Sequence, residues 1–147
     1  TEGLDIVASY RVPDFGAGRF TLTAGYNIND NKITDRRTFS GFTAQRLFAR
    51  PESFRLTDGQ PSNKLNIGLD WEAGKFGLTA RGNRYGSVFL PGPSLDITIP
   101  KGSAPGDITL SPKWVMDLEV RFNPVEAVQL AVGANNLLDE YPDRLPL

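Results

Sequence analysis

The stretch "RFTLTAGYNIN", residues 19–29, alternates without a break. Phe20, Leu22, Ala24, Tyr26 and Ile28 fall on one side, and Arg19, Thr21, Thr23, Gly25, Asn27 and Asn29 fall on the other. A repeat of two residues is the pleat of a β-strand, and helical spacing gathers these side chains on no single face. The segment therefore reads as a strand with one apolar and one polar side. At about 9–11 residues, such a strand is long enough to cross a bilayer when tilted as in a barrel wall.

The same pattern returns along the chain. Residues 4–12 place Leu4, Ile6, Ala8, Tyr10 and Val12 on one face, and residues 64–72 place Leu65, Ile67, Leu69 and Trp71 there. Residues 75–86 contribute Phe76, Leu78 and Ala80, and residues 113–123 contribute Trp114, Met116, Leu118, Val120 and Phe122. The sixth segment begins at Val128 and continues through Leu130, Val132 and Ala134. The connections alternate as strictly as the side chains do. Residues 13–18, 73–74 and 124–126 are short links, whereas 30–63 and 87–112 are long and polar. Structureless loops over about 15 residues are uncommon in compact domains, while outer-membrane barrels combine tight turns at one end with long loops at the other.

Hairpin registers follow from keeping the apolar face continuous. Val12 opposite Phe20 sets Tyr10 against Leu22 and Ile6 against Tyr26. A two-residue turn at Ala73-Gly74 sets Trp71 against Phe76 and Leu69 against Leu78, and Phe122 opposite Val128 sets Val120 against Leu130. A slip of one residue would scatter the apolar set onto both faces. The other face carries Asp5, Arg11, Thr21, Thr23, Asp70, Glu72, Arg81, Asp117, Glu119 and Arg121, which suits a hydrated or plug-filled lumen, with a solvent-exposed sheet face as the alternative. On that face the acids beside Arg81 and Arg121 read as salt-bridge ladders. Aromatic residues gather at the strand ends, with Tyr10, Phe20, Trp71, Phe76 and Phe122 near the short links and Tyr26 and Trp114 towards the long loops. Two interfacial girdles explain this distribution, and ordinary β-propensity, which would scatter aromatics more evenly, is the alternative.

Composition narrows the chemistry. The 147 residues suit one domain. With 16 Lys plus Arg against 17 Asp plus Glu, the net charge of −1 offers no general attraction to nucleic acid. There is no Cys and no His. Those absences remove disulfides, the usual zinc and copper sites, and His-based triads. No catalytic set, cofactor site or metal site is expected. Asp139, Glu140 and Asp143 lack the alternating ligands and central Gly of a calcium loop, so they read as punctuation at a strand end. There Asn135, Asn136 and Asp139 would cap backbone groups through Asx turns.

The long loops hold the remaining candidates. Residues 43–50, "TAQRLFAR", are expected to form a short helix with Thr43 as N-cap. Arg36, Arg37, Arg46, Arg50 and Arg55 form a candidate basic mouth for an anionic ligand, with an ordinary solvated loop as the alternative. In the second loop the echo of "DITI" (96–99) and "DITL" (107–110) suggests a small hairpin.

Taken together, "VGANNLLDEYPD" (132–143), "GLDIVASYRV…GAGRFTLTAGYNIND", "LTDGQPSNKLNIGLDW" and "LSPKWVMDLEVRF" resemble the C-terminal barrel portion of the TonB-dependent outer-membrane receptors. The family's late strand ends in an NNLFDxxY-type sequence, and Leu138 stands here in place of its usual Phe. The resemblance covers nearly the whole chain. It implies an all-β, antiparallel, up-and-down meander of about six strands, part of a barrel of about 22 strands, so residues 1–147 cannot close alone. The plug domain and the last strand are expected to lie outside the chain. It further implies the bacterial outer membrane, uptake of a scarce nutrient (siderophore, cobalamin or sugar), and coupling to the TonB complex through the absent plug. Phe20, Leu22, Leu69, Trp71, Trp114, Leu118, Val120, Leu130 and Val132 would then face lipid, and an isolated fragment would self-associate. A porin-like passive channel and a soluble β-sandwich binding module, for carbohydrate, are the rivals. The sandwich requires a second sheet covering the apolar face.

Overall fold

The computed structural model describes residues 1–13, 16–35, 40–41 and 48–145. Six long strands form a single antiparallel meander: β1 (Glu2–Val12), β2 (Arg19–Asp30), β3 (Asn63–Ala73), β4 (Phe76–Tyr85), β7 (Lys113–Val125) and β8 (Val128–Ala134), in the spatial order β1-β2-β3-β4-β7-β8. A helix, α1 (Arg50–Thr57), lies in the first long loop, and a two-stranded sheet, β5 (Val88–Leu90) with β6 (Ile108–Leu110), lies in the second. The sheet is open, with β1 and β8 as its edges.

Register carries the alternation from strand to strand. One row runs Tyr10, Leu22, Leu69, Ala80, Leu118 and Ala134; the next runs Val12, Phe20, Trp71, Leu78, Val120 and Val132. Across the pleat, a polar row runs Arg11, Thr21, Asp70, Thr79 and Glu119. The β1–β2 register matches the sequence expectation, with Val12 opposite Phe20.

Two registers differ from expectation by two residues, so they preserve the faces but move the turns. In the β3–β4 hairpin Ala73 opposes Phe76 and Trp71 opposes Leu78, which makes Gly74-Lys75 the turn. Gly74 adopts a φ of 56°. A type II′ turn demands Gly at its first central position, and the expected Ala73-Gly74 turn would have placed it second. In the β7–β8 hairpin Phe122 opposes Leu130 and Val120 opposes Val132, with a bulge between Phe122 and Val125. Pro124 lies inside that bulge. It has no N–H to give the ladder, so the strand continues only by skipping a pairing there, and the reversal moves on to Glu126-Ala127.

Among the described residues the sheet has no covered core, and the buried apolar side chains are Ala49, Phe89 and Ala104, all in the loops. On the apolar face of the sheet Leu22 and Val120 are each 45% exposed and Val132 is 79% exposed. The accessible surface is 10747 Å², against roughly 7,400 Å² for a compact monomer of this mass. Among the described residues no second sheet covers the apolar face, as a sandwich would require. The six strands form one wall instead.

Candidate functional site

The candidate site has three parts: the two faces of the wall, the loops above it, and the clasp after β8. The residues expected to face lipid all share one face. Phe20 lies opposite Trp71, Leu22 opposite Leu69, Leu118 opposite Ala80, Val120 opposite Val132, and Phe122 opposite Leu130. Trp114 lies on the same face one row from Met116, at the loop end. Towards the short turns the aromatics touch: Phe76 and Phe122 stack at 5.0 Å, and Phe20 and Trp71 approach to 6.2 Å. The Trp71 indole N–H donates to the Ala17 carbonyl at 2.8 Å, which anchors the ring at the first turn. A tryptophan with an apolar body and a satisfied polar tip suits an interfacial position.

The opposite face is a polar network. Arg121 lies 3.9 Å from Asp70 and 3.7 Å from Glu119, the Thr79 hydroxyl donates to Asp70 at 2.6 Å, and Arg19 pairs with Glu72 at 2.9 Å. Arg121 reaches across because Gly77 lies directly opposite it and has no side chain to block the guanidinium. The ladder expected around Arg121 is present. Arg81 sits opposite Asp117 in register, and the Asp117 carboxylate accepts the Asn136 amide at 2.9 Å.

The loops meet above the wall. Arg50, 1% exposed, donates through both terminal nitrogens to the Asp107 carboxylate, at 2.8 and 2.6 Å. It also donates to the carbonyls of Ile99 at 3.0 Å and Pro100 at 2.8 Å. Asp107 in turn accepts the amides of Gly92 at 2.8 Å and Ala104 at 3.1 Å. These donors, the guanidinium foremost, hold its carboxyl well below the usual carboxylate range. Phe54 of α1 meets Phe89 of β5 edge to face at 5.1 Å, the Phe89 amide donates to the Asp58 carbonyl at 3.1 Å, and Lys101 pairs with Asp58 and lies over the Phe89 ring. A cavity of about 450 Å³ opens beside this cluster, lined by Lys32, Ser53, Thr57, Asp58 and Ile97 among others.

Of the five arginines of the expected basic mouth, Arg50 and Arg55 lie among the described residues. Arg36, Arg37 and Arg46 lie outside the described residues, as does most of the expected helix at 43–50. Arg55 is exposed on α1. Arg50 is buried with its guanidinium held by protein groups, so it fastens the loops together instead of lining a surface. Asp107, Phe89 and Lys101 were not singled out by sequence reasoning. A sequence signal for α1 did exist: Pro51 at its start and Glu52 in its first turn. The second-loop hairpin forms, but "DITL" pairs with Val88–Leu90. "DITI" makes a turn instead, with Thr98 bonded to the Asp96 side chain at 2.9 Å.

After β8 the chain folds back on β7. Asn136 exchanges two hydrogen bonds with the backbone of Glu140, at 3.0 and 3.1 Å. Lys113 lies 3.0 Å from Asp143 and 3.7 Å from Glu140, and Asp143 accepts the Ser111 amide at 2.6 Å. Of the residues expected to cap this strand end, Asn136 does so through its side chain, while Glu140 and Asp143 engage Lys113.

A two-faced antiparallel wall, with tight turns at one end and folded loops at the other, defines a segment of a transmembrane β-barrel. Residues 1–137 match the family described as TonB dependent receptor-like, β-barrel, and the chain belongs to that family. It is a family of outer-membrane transporters, not of enzymes. No curated protein and no solved structure matches the chain.

Proposed function

We propose that this chain supplies wall strands and two extracellular loops of an active transporter in the bacterial outer membrane. The transporter takes up a scarce nutrient of the siderophore, cobalamin or sugar class and is energised by TonB acting on a plug domain encoded outside residues 1–147. The observation that carries the reading is the register: apolar residues meet across the strands on one face and charged residues on the other, with both long loops at one end. A face with that much exposed apolar surface has hydrocarbon as its natural solvent. The exposed Arg55, with Arg36, Arg37 and Arg46, is proposed for the ligand-facing surface of the loops, where guanidinium groups attract anions.

The test is cysteine labelling in the intact membrane protein. Cysteines at Leu22, Leu69 and Val120 are expected to resist a water-soluble maleimide, while cysteines at Thr23 and Asp70 react. The inverse pattern would reverse the two faces and sink the proposal. Nutrient uptake that survives collapse of the proton-motive force would point instead to a passive, porin-like channel.

A further inference from the structure

We infer that residues 49–58 and 88–110 form one cap that orders and releases as a single unit, latched by the ion pair between Arg50 and Asp107. Neither half carries the means to fold alone. The helix α1 has eight residues, no side-chain N-cap bond, and as its buried residues Arg50, Pro51 and Ser53 instead of an apolar stripe. Isolated helices shorter than about 12–15 residues are marginal in water. The β5–β6 sheet has three residues per strand, and an isolated two-stranded sheet is marginal as well.

What each half lacks, the other supplies. The Arg50 side chain leaves α1 and ends among Ile99, Pro100 and Asp107 of the second loop. Within that loop, Asp107 gathers the Gly92 and Ala104 amides, so one carboxylate organises the loop's own return and receives the other loop's cation. The Phe89 amide bonded to the Asp58 carbonyl joins the two backbones directly, and Phe54 covers Phe89, which is 2% exposed. Removing Arg50 leaves the Asp107 carboxylate buried without its cation in the opposite loop, and removing Asp107 strands the buried Arg50 guanidinium across the cap and the Gly92 and Ala104 amides in its own loop, so both halves lose order together. A ligand or partner that displaces one loop therefore displaces the other. This inference stands on the loop geometry and does not depend on which nutrient is carried.

Hydrogen exchange on the intact protein tests it. In the unsubstituted protein the amides of Asp58, Phe89 and Asp107, bonded respectively to Phe54, Asp58 and Ala104, are expected to share one opening free energy. Arg50→Gln and Asp107→Asn are each expected to lower the protection of all three by the same factor, with strand amides unchanged. The double variant is expected to lose no more than either single one. Protection that differs between the two loops by more than about tenfold in the unsubstituted protein overturns the inference. So does loss confined to the loop that carries the substitution. Should neither variant reach the membrane, the comparison within the unsubstituted protein decides alone.

Discussion

Asn136 and Asp139 take positive φ angles of 51° and 54°, the left-handed region that Asn and Asp tolerate better than other side chains. Their identities in "NNLLDEYP" are therefore explained by backbone geometry. Asn136 bonds forward to Glu140, and the segment it turns delivers Asp143 to Ser111 and Lys113. The Ser111 amide, followed by Lys113, holds the Asp143 carboxyl down to about 2, from an ordinary 3.8. A carboxyl with a lowered folded-state pKa stabilises fully above its unfolded value, and that stabilisation is lost as pH falls through the folded one. The clasp is thus expected to hold the Ser111 amide at neutral pH and through the ordinary carboxylate range, failing only as pH approaches about 2. Asp143→Asn should weaken it at every pH above about 2, where the native carboxyl is charged. Amide exchange at Ser111 measures both, and a midpoint near 3.8 would contradict the account. The latch carboxylate of Asp107 is lowered too, so the cap is not a proton-operated switch at physiological pH. At this scale sequence reading recognised the Asx residues, because their chemistry acts on neighbours. It did not single out Asp107, because that residue's partner lies 57 positions away.

At the scale of elements, the six long strands were legible to within one or two residues at nearly every end. The β-pleat imposes its period on the sequence wherever one face is apolar. Registers were less legible, because a shift by two keeps every side chain on its face and pattern alone does not resist it. The deciding features were local and conformational. Gly74 at the start of its turn and Pro124 within β7 each forced an offset. Replacing Gly74 with Ala should cost about 1–2 kcal/mol through the positive φ alone, since a Cβ there meets nothing within 4 Å. Gly18→Ala should cost more, because its Cβ would also run into the Glu72 carbonyl oxygen. Denaturant midpoints of the two variants in the intact barrel check the order, and an equal or reversed ranking would refute it. The helix α1 escaped pattern reading for the opposite reason. It has no apolar stripe, and its order comes from contacts with the second loop.

For the whole molecule, the apolar face and two unpaired edges leave far more surface exposed than a self-sufficient domain would tolerate. Residues 1–147 produced in isolation are accordingly expected to associate or to require detergent. Light scattering in plain buffer should report a mass above 16.1 kDa, and a monodisperse monomer would refute the expectation. By itself the sequence determined that this is a β-meander with a two-faced wall and loops at one end, since alternation and loop length are local properties that survive without any knowledge of contacts. Its family followed from the same strands and their terminal motif. Only the tertiary structure decided where two of the three hairpins turn and which acids Arg121 meets across the wall. It also decided that the two loops meet over Phe89 around Arg50 and Asp107. Those outcomes depend on residues distant in sequence being held at hydrogen-bonding distance, and no periodicity encodes such a distance.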